Sequence, residues 1–164
     1  MTALVLLLLL AGPAVAQDVV FTPGPTTACV AAQDADDARL LCVGRAATAC
    51  MERTLGGFST VMTSTCIDRE FQYWDGELNK VYQGALAEAQ EIDAQGLSGP
   101  RGAPEAEAAL RAMQRAWIPY RDGLCQFEQS KWGGGTGGVP AALSCLMTET
   151  ARQTFILQNG FGLR

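Results

Sequence analysis

The sequence predicts an all-α domain, and three observations lead to that fold class. Apolar residues recur at alternating steps of three and four over long stretches, which is the spacing of a helix with one buried face. No stretch of useful length alternates apolar and polar residues as a strand would. Six cysteines flank the predicted turns of the 164-residue chain. We therefore expect a disulfide-stapled bundle of about four to five helices, two of them long and antiparallel.

The N-terminal segment is typical of a secretory signal peptide. A short apolar run, Ala3–Ala11, precedes the small residues of Ala14-Val15-Ala16, which form a cleavage site, so the mature chain should begin at Gln17. The apolar run is too short to span a bilayer, and we expect no membrane span. Pro23-Gly24-Pro25 favours an extended segment before the first helix. The chain thus divides into a signal peptide at residues 1–16, an extended arm at 17–26 and a single helical domain at 27–164.

The domain is expected to begin with two helices of modest length. A short helix is predicted at about residues 27–33, and a longer one at 35–54. Asp34, followed three residues later by Asp37, resembles a capping box for the longer helix. Gly56-Gly57 marks its end, because glycine commonly follows the last turn of a helix.

Two long helices follow. The first is predicted from Ser59 or Thr60 to Gly96, a length on the order of 50 Å at about 1.5 Å per residue. The second starts near Pro104, since proline suits the first turn of a helix. Pro119 should kink it, because proline removes one backbone donor and crowds the preceding turn. The apolar stripes are Ile67, Phe71, Trp74, Leu78, Val81 and Ala85 in the first helix, and Ala106, Leu110, Met113, Trp117, Tyr120, Leu124 and Phe127 in the second.

A last helix is predicted after the glycine-rich turn at residues 133–138. Pro140 opens this helix, again at a position where its missing N–H is not needed. One face carries its apolar and small polar residues, which are Leu143, Leu146, Met147, Thr150 and Leu157.

The six cysteines are expected to form three disulfides, since an even cysteine count in an exported chain favours bridges. Residues at equal distances from the turn of an antiparallel helical hairpin face each other. Sequential pairing follows, which gives Cys29–Cys42, Cys50–Cys66 and Cys125–Cys145. A crossed pairing of Cys29 with Cys66 and Cys42 with Cys50 remains open. Its second bond would span about 12 Å of helical rise, which excludes it if that helix is continuous.

Residues for catalysis are scarce. The chain has no histidine, and bridged cysteines offer no thiolate. The remaining acid–base candidates are carboxylate pairs, namely Glu70 with Asp75 or Glu77, and Asp122 with Glu128. Solvated charges and salt bridges on helix surfaces explain such pairs more simply. We expect no catalytic residue, no metal, no cofactor and no enzymatic activity.

The charge pattern narrows the choice of partner. The formal net charge is −5, from twelve basic and seventeen acidic residues. Both signs are interspersed, and the basic stripe that nucleic acids or anionic membranes require is missing from the sequence. A basic protein partner is compatible with this charge.

Two clusters mix aromatic and polar side chains and are the candidate binding residues. The first comprises Trp74, Asp75, Asn79 and Tyr82, and the second Gln114, Trp117, Tyr120 and Arg121. In one interpretation they form core, where Trp74 stacks on Trp117 and Arg121 meets Asp75 in a buried pair. In the other, part of the set is exposed and anchors a partner, since aromatic residues and arginine are enriched at binding hot spots. We favour the core interpretation.

The same residues resemble the signature of the LprI-type lysozyme inhibitor family of small exported bacterial proteins. The resemblance covers residues 42–157 and is carried by Cys66, Glu70, Trp74-Asp75, Leu78-Asn79, Tyr82, Gln114-Arg115-Ala116-Trp117, Tyr120-Arg121-Asp122, Cys125 and Cys145. It implies a disulfide-linked helical domain of the Gram-negative periplasm or the actinobacterial envelope. It also implies lysozyme inhibition.

Two functions of different classes remain open. In the first, the protein is a periplasmic or secreted binding protein that plugs the active-site cleft of a basic lysozyme. In the second, it is a structural or adaptor protein of the cell envelope without affinity for lysozyme.

Overall fold

The computed structural model describes residues 18–97 and 104–161, and over these ranges the fold is all-α, as predicted. The predicted signal peptide and its cleavage site lie outside the described residues. The helices within the described ranges are α1 (Gly24–Ala31), α2 (Asp36–Leu40), α3 (Arg45–Arg53), α4 (Thr60–Ala94), α5 (Ala106–Ser130) and α6 (Gly138–Gln158). None of them is both long enough and apolar enough to cross a membrane.

The helix α4 is the axis of the fold, with 35 residues. It begins where Ser59 caps it: the side-chain oxygen of Ser59 accepts a hydrogen bond from the backbone N–H of Met62. At its other end, the Asp93 carboxylate accepts hydrogen bonds from the N–H groups of Ala106 and Glu107 at 2.8 and 3.0 Å. The last turn of α4 therefore caps the first turn of α5, and the two long helices run antiparallel.

The helices α4, α5 and α6 form a three-helix bundle with the core between them. Leu78, Ala85 and Ile92 of α4 pack with Leu110 of α5 in one apolar cluster. A second cluster lies towards the start of α4 and joins α3, α4 and α6 through Ala47, Ile67, Trp74, Met147, Ala151 and Phe155. In these clusters, earlier residues of α4 pack with earlier residues of α6, and later residues of α4 pack with later residues of α6. The helix α6 therefore runs parallel to α4. Pro119 lies inside α5, and the helix continues on both sides of it.

The prediction of one continuous helix at 35–54 is wrong, because the helix is interrupted in the middle of this range. The chain instead forms α2 and α3, which are separated around Gly44 with φ +94°, a left-handed conformation that favours glycine. The break has a physical cause: in this conformation the Gly44 N–H donates to a Glu70 carboxylate oxygen on α4 at 2.8 Å.

The extended arm predicted at 17–26 is too long at its C-terminal end. The helix α1 already begins at Gly24, because Pro25 occupies its first turn, where proline is favoured. Thr26, predicted to lie in the arm, is fully buried and donates its hydroxyl to Glu70 at 2.7 Å. Only residues 18–23 of the described arm precede the helix.

Three disulfides connect the helices, with the sequential pairing that hairpin symmetry predicts. Cys29–Cys42 ties α1 to the turn after α2, Cys50–Cys66 ties α3 to α4, and Cys125–Cys145 ties α5 to α6. Because α2 and α3 are separate, continuity of one helix does not itself exclude a Cys42–Cys50 bond. The backbone instead brings each sequential pair to Cα–Cα distances of 5.4–5.7 Å.

Candidate functional site

Trp74, a predicted site residue, lies in the core. Its side chain is 3% exposed and packs edge-on against Phe155 of α6, with the ring centroids 5.3 Å apart. The expected stack on Trp117 is not formed: Trp117 packs beside the other apolar cluster, which includes Leu78. The two tryptophans therefore stabilise different parts of the bundle.

Arg121 occupies the junction of the three long helices. Its guanidinium lies 4.9 Å from the ring centre of Trp117 and 5.9 Å from that of Phe71 on α4. It donates to Asp122 at 2.8 Å and to the Thr150 hydroxyl on α6 at 3.4 Å. The side chain joins the helices through cation–π and hydrogen-bond contacts.

The predicted ion pair between Arg121 and Asp75 is wrong. Arg121 turns towards α6 and pairs with its neighbour Asp122, which leaves Asp75 outside this junction. Asp75 instead accepts a hydrogen bond from the Asn79 amide one turn further along α4, at 3.2 Å.

The other predicted residues are dispersed. Gln114 accepts a 2.6 Å hydrogen bond from the amide of Gln153, which links α5 to α6. Tyr82 is half-buried and lies beside the Arg111 guanidinium, which hydrogen-bonds to Glu107. Asn79 is exposed, and Tyr120 is 62% exposed. The structure therefore does not bring the eight predicted residues into one cleft.

Glu70 has a role that the sequence analysis missed. Its carboxylate is fully buried and accepts hydrogen bonds from the Thr26 hydroxyl at 2.7 Å, from the N–H groups of Gly44 and Ala47 at 2.8 and 2.7 Å, and from the Trp74 indole at 3.4 Å. One carboxylate thus fastens α1, the α2–α3 break and α3 to α4. The signal was present in the sequence, since Glu70 lies between Ile67 and Trp74 on the apolar stripe.

The carboxylates considered as acid–base candidates contact other protein groups. With four donors around it, Glu70 faces protein groups and not a cleft. Glu77 pairs with Lys80 at 2.6 Å, and Glu128 pairs with Lys131 at 2.6 Å. Glu77 and Lys80 lie three residues apart on α4, and Lys131 directly follows the last residue of α5, so both pairs are ordinary arrangements at helix surfaces.

Two of the pockets between the helices lie next to predicted site residues. One, of about 250 Å³, is almost wholly apolar and lies between α4, α5 and α6, one turn from Trp117; its lining includes Leu110, Met113 and Leu157. The other, of about 210 Å³, lies between α1, α2, α4 and α6 and is lined in part by Arg39 and Tyr73. Burial, and then the negative charges of Glu77 and Glu70, raise the pKa of Tyr73.

Three large apolar side chains are exposed at the turn between α3 and α4 and at the start of α4. Leu55, Phe58 and Val61 are 81, 72 and 69% exposed. We call these three residues the apolar tip. The Cys50–Cys66 disulfide holds the two helices that carry it, with their Cα atoms 5.7 Å apart. The three side chains lie close together in the chain, and exposed apolar groups that cluster on a surface often mark a contact with a partner.

Comparison with known proteins assigns the chain to a family. The family model described as "Lysozyme inhibitor LprI" matches residues 50–157, which include all of α4 and α5 and nearly all of α6. The apolar tip, Glu70 and Arg121 all lie inside the matched segment.

Related chains occur in bacteria. An uncharacterized protein of Rhizobium meliloti (strain 1021) is 35% identical over 96 residues, covering 57% of this chain and 68% of that protein. An uncharacterized 17.7 kDa protein of Rhodobacter capsulatus is 26% identical, covering 81% of this chain and 82% of the relative. The uncharacterized protein YecT of Escherichia coli (strain K12) is 26% identical, covering 57% and 59%. No solved structure matches the chain.

Proposed function

We propose a function from one premise: this chain belongs to the LprI lysozyme inhibitor family. The protein is an exported binding protein that inhibits lysozyme by occupying it, without catalysing a reaction. The observation that carries the proposal is the family match over residues 50–157, which covers the long helices of the bundle. A binding role also agrees with the contacts of the polar side chains. Glu70 and Arg121 connect the helices to one another and so stabilise the bundle that would bind the partner.

Export is the first part of the proposal. Three disulfides and no free cysteine suit an oxidising compartment, since the bacterial cytosol keeps thiols reduced. The small residues of Ala14-Val15-Ala16 supply the cleavage site for a signal peptide. We infer that the mature protein begins at Gln17 and acts in the periplasm or outside the cell.

The partner is the second part. A basic lysozyme is attracted to a chain of net charge −5, and this attraction raises the rate of encounter more than it raises the final affinity. Disulfides between α3 and α4 and between α5 and α6 hold the bundle in one shape, so little conformational entropy is lost on binding.

The test is a titration of lysozyme activity on cell walls with the purified mature protein. Inhibition should reach completion at stoichiometric amounts and should weaken with added salt, because the reach of charge attraction falls to about 8 Å at physiological ionic strength. Lysozyme rates that stay unchanged under a large molar excess of the protein at low salt would contradict the proposal.

A second candidate function, an envelope adaptor without affinity for lysozyme, is favoured by one observation. The apolar pocket beside Leu110 and Met113 has room for an apolar side chain of another envelope protein. Affinity capture from periplasmic extract, with lysozyme added as one bait among several, separates the two functions. An adaptor would retain an envelope protein and leave the lysozyme unbound.

A further inference from the structure

The apolar tip is exposed to solvent, whereas many other apolar residues of the chain are buried in the two core clusters. Leu55 and Phe58 are exposed in the turn between α3 and α4 and Val61 in the first turn of α4, while other residues of the same hairpin, such as Cys50, Thr54 and Cys66, are buried. Burying a large apolar side chain stabilises a protein, so leaving three of them in water forgoes a substantial gain in stability. The tip thus resembles a contact surface kept for a partner.

The tip is also rigid. The N–H of Gly57 donates to the Thr54 carbonyl at 3.0 Å, and the N–H of Ser59 donates to the Gly56 carbonyl at 2.9 Å. Gly56 takes φ +67°, a left-handed conformation that suits glycine. Gly57 approaches α3 so closely that a Cβ atom there would lie 1.9 Å from the carbonyl oxygen of Met51. A preordered turn loses little entropy on binding.

Shape and charge decide between possible occupants. A stable interface between two proteins buries about 800 Å² on each partner, and three side chains pressed against a flat surface or a second copy cover only part of that area. A concave partner that contacts the tip on several sides would supply the remaining interface area. Glu52 and Arg53, the charged residues just before the tip in the sequence, have opposite signs, so this segment has no excess of the basic residues that favour an anionic lipid surface.

We propose that the apolar tip enters the substrate-binding cleft of lysozyme and blocks it. This inference rests on the proposed function and adds the surface and the mode of inhibition. A hydrolase that binds a linear glycan needs an elongated cleft, which is the concave partner that a narrow, rigid, uncharged turn fits. Because Leu55 and Phe58 would displace the sugar chain, inhibition is competitive with substrate.

The experiment measures lysozyme kinetics on a soluble chitin oligosaccharide in the presence of the full mature protein. Wild-type protein should raise the apparent KM without changing kcat. The variants Phe58→Ser and Leu55→Ser, and their combination, should weaken inhibition by at least about tenfold, a factor equivalent to about 1.4 kcal/mol. The matched control is Leu97→Ser, an equally apolar change at the opposite end of α4, where the side chain is 57% exposed. It should inhibit like the wild type.

Thermal unfolding of each variant guards against misfolding, and unchanged melting temperatures are expected because the altered side chains are exposed. Wild-type protein that leaves lysozyme active would contradict the proposed function together with this inference. Two results would contradict this inference alone, provided that the wild-type protein inhibits lysozyme. One is a double variant that inhibits as well as the wild type, and the other is inhibition that lowers kcat at constant KM. Loss of self-association or of liposome binding in the double variant, with inhibition intact, would identify a second copy or lipid as the true occupant.

Discussion

Replacement of Glu70 is the perturbation whose effect can be worked out most fully. Its carboxylate accepts hydrogen bonds from two backbone N–H groups, those of Gly44 and Ala47, at 2.8 and 2.7 Å. It also accepts from the Thr26 hydroxyl at 2.7 Å. A buried donor that loses its acceptor costs about 1–3 kcal/mol. Because the Thr26 hydroxyl also approaches the Cys42 carbonyl, at 3.5 Å, it keeps a weak second partner, and the two amides carry most of the loss.

Glu70→Ala should therefore lower the free energy of unfolding by about 3–5 kcal/mol. Glu70→Gln should cost less, about 1–2 kcal/mol, because the amide oxygen keeps three of the contacts while its NH₂ group meets the Ala47 N–H. A domain of this size is stable by about 5–15 kcal/mol, so the alanine variant should fold but unfold much more readily.

Urea denaturation followed by circular dichroism at 222 nm, with disulfides intact, measures these differences. The control is Glu77→Ala, which breaks a surface pair with Lys80 and should cost about 1 kcal/mol or less. If Glu70→Ala lies within about 1 kcal/mol of this control, the buried carboxylate does not hold the N-terminal helices.

Three further predictions concern stability. Replacing Cys125 and Cys145 together by serine should cost about 3 kcal/mol in urea denaturation, since that bridge closes a 20-residue loop; no loss would show that it adds nothing to stability. Gly44→Ala should destabilise by about 1–2 kcal/mol because of its positive φ, whereas Gly76→Ala inside α4 should stabilise slightly; equal melting temperatures would contradict this. Because the pKa of Tyr73 is raised, the unfolded chain loses that proton first, so stability should fall as pH rises above 10.0. Tyr73→Phe should reduce this fall in pH-dependent denaturation, and an unchanged pH profile would contradict it.

Local spacing was sufficient to predict the long helices and the cysteine pairing. The steps from Ile67 to Ala85 mark the buried face of α4, and Ser59 marks its start, because both depend only on residues close in the chain. Hairpin symmetry predicts Cys50–Cys66 for the same reason.

Features set by distant contacts could not be predicted in this way. Gly44 breaks the predicted helix because Glu70, 26 residues later, accepts its N–H. Arg121 contacts Thr150 and Phe71 on two other helices, and the spacing within α5 does not reveal either neighbour. The predicted ion pair between Arg121 and Asp75 is wrong because it was inferred only from the helix face on which each residue lies. The sequence does not give the rotation of the two helices relative to each other.

The candidate site also combines features that local sequence predicts with features that depend on distant contacts. The aromatic and polar residues of the family signature could be found from sequence, yet Trp74 and Arg121 serve mainly to pack the bundle. The apolar tip was overlooked because Leu55 and Phe58 flank a glycine turn and belong to no periodic stripe. Apolar residues in a turn are themselves a signal, since turns more often carry polar residues.

Amide hydrogen exchange of the mature protein, measured with and without excess lysozyme, maps the surface that lysozyme contacts. If the apolar tip enters the cleft, exchange in the complex should slow at residues 54–61, around the tip, with little change at the far end of α4 near Leu97. Absence of protection anywhere would contradict lysozyme binding. Protection confined to other surfaces would show that lysozyme binds but that the apolar tip is not the contact.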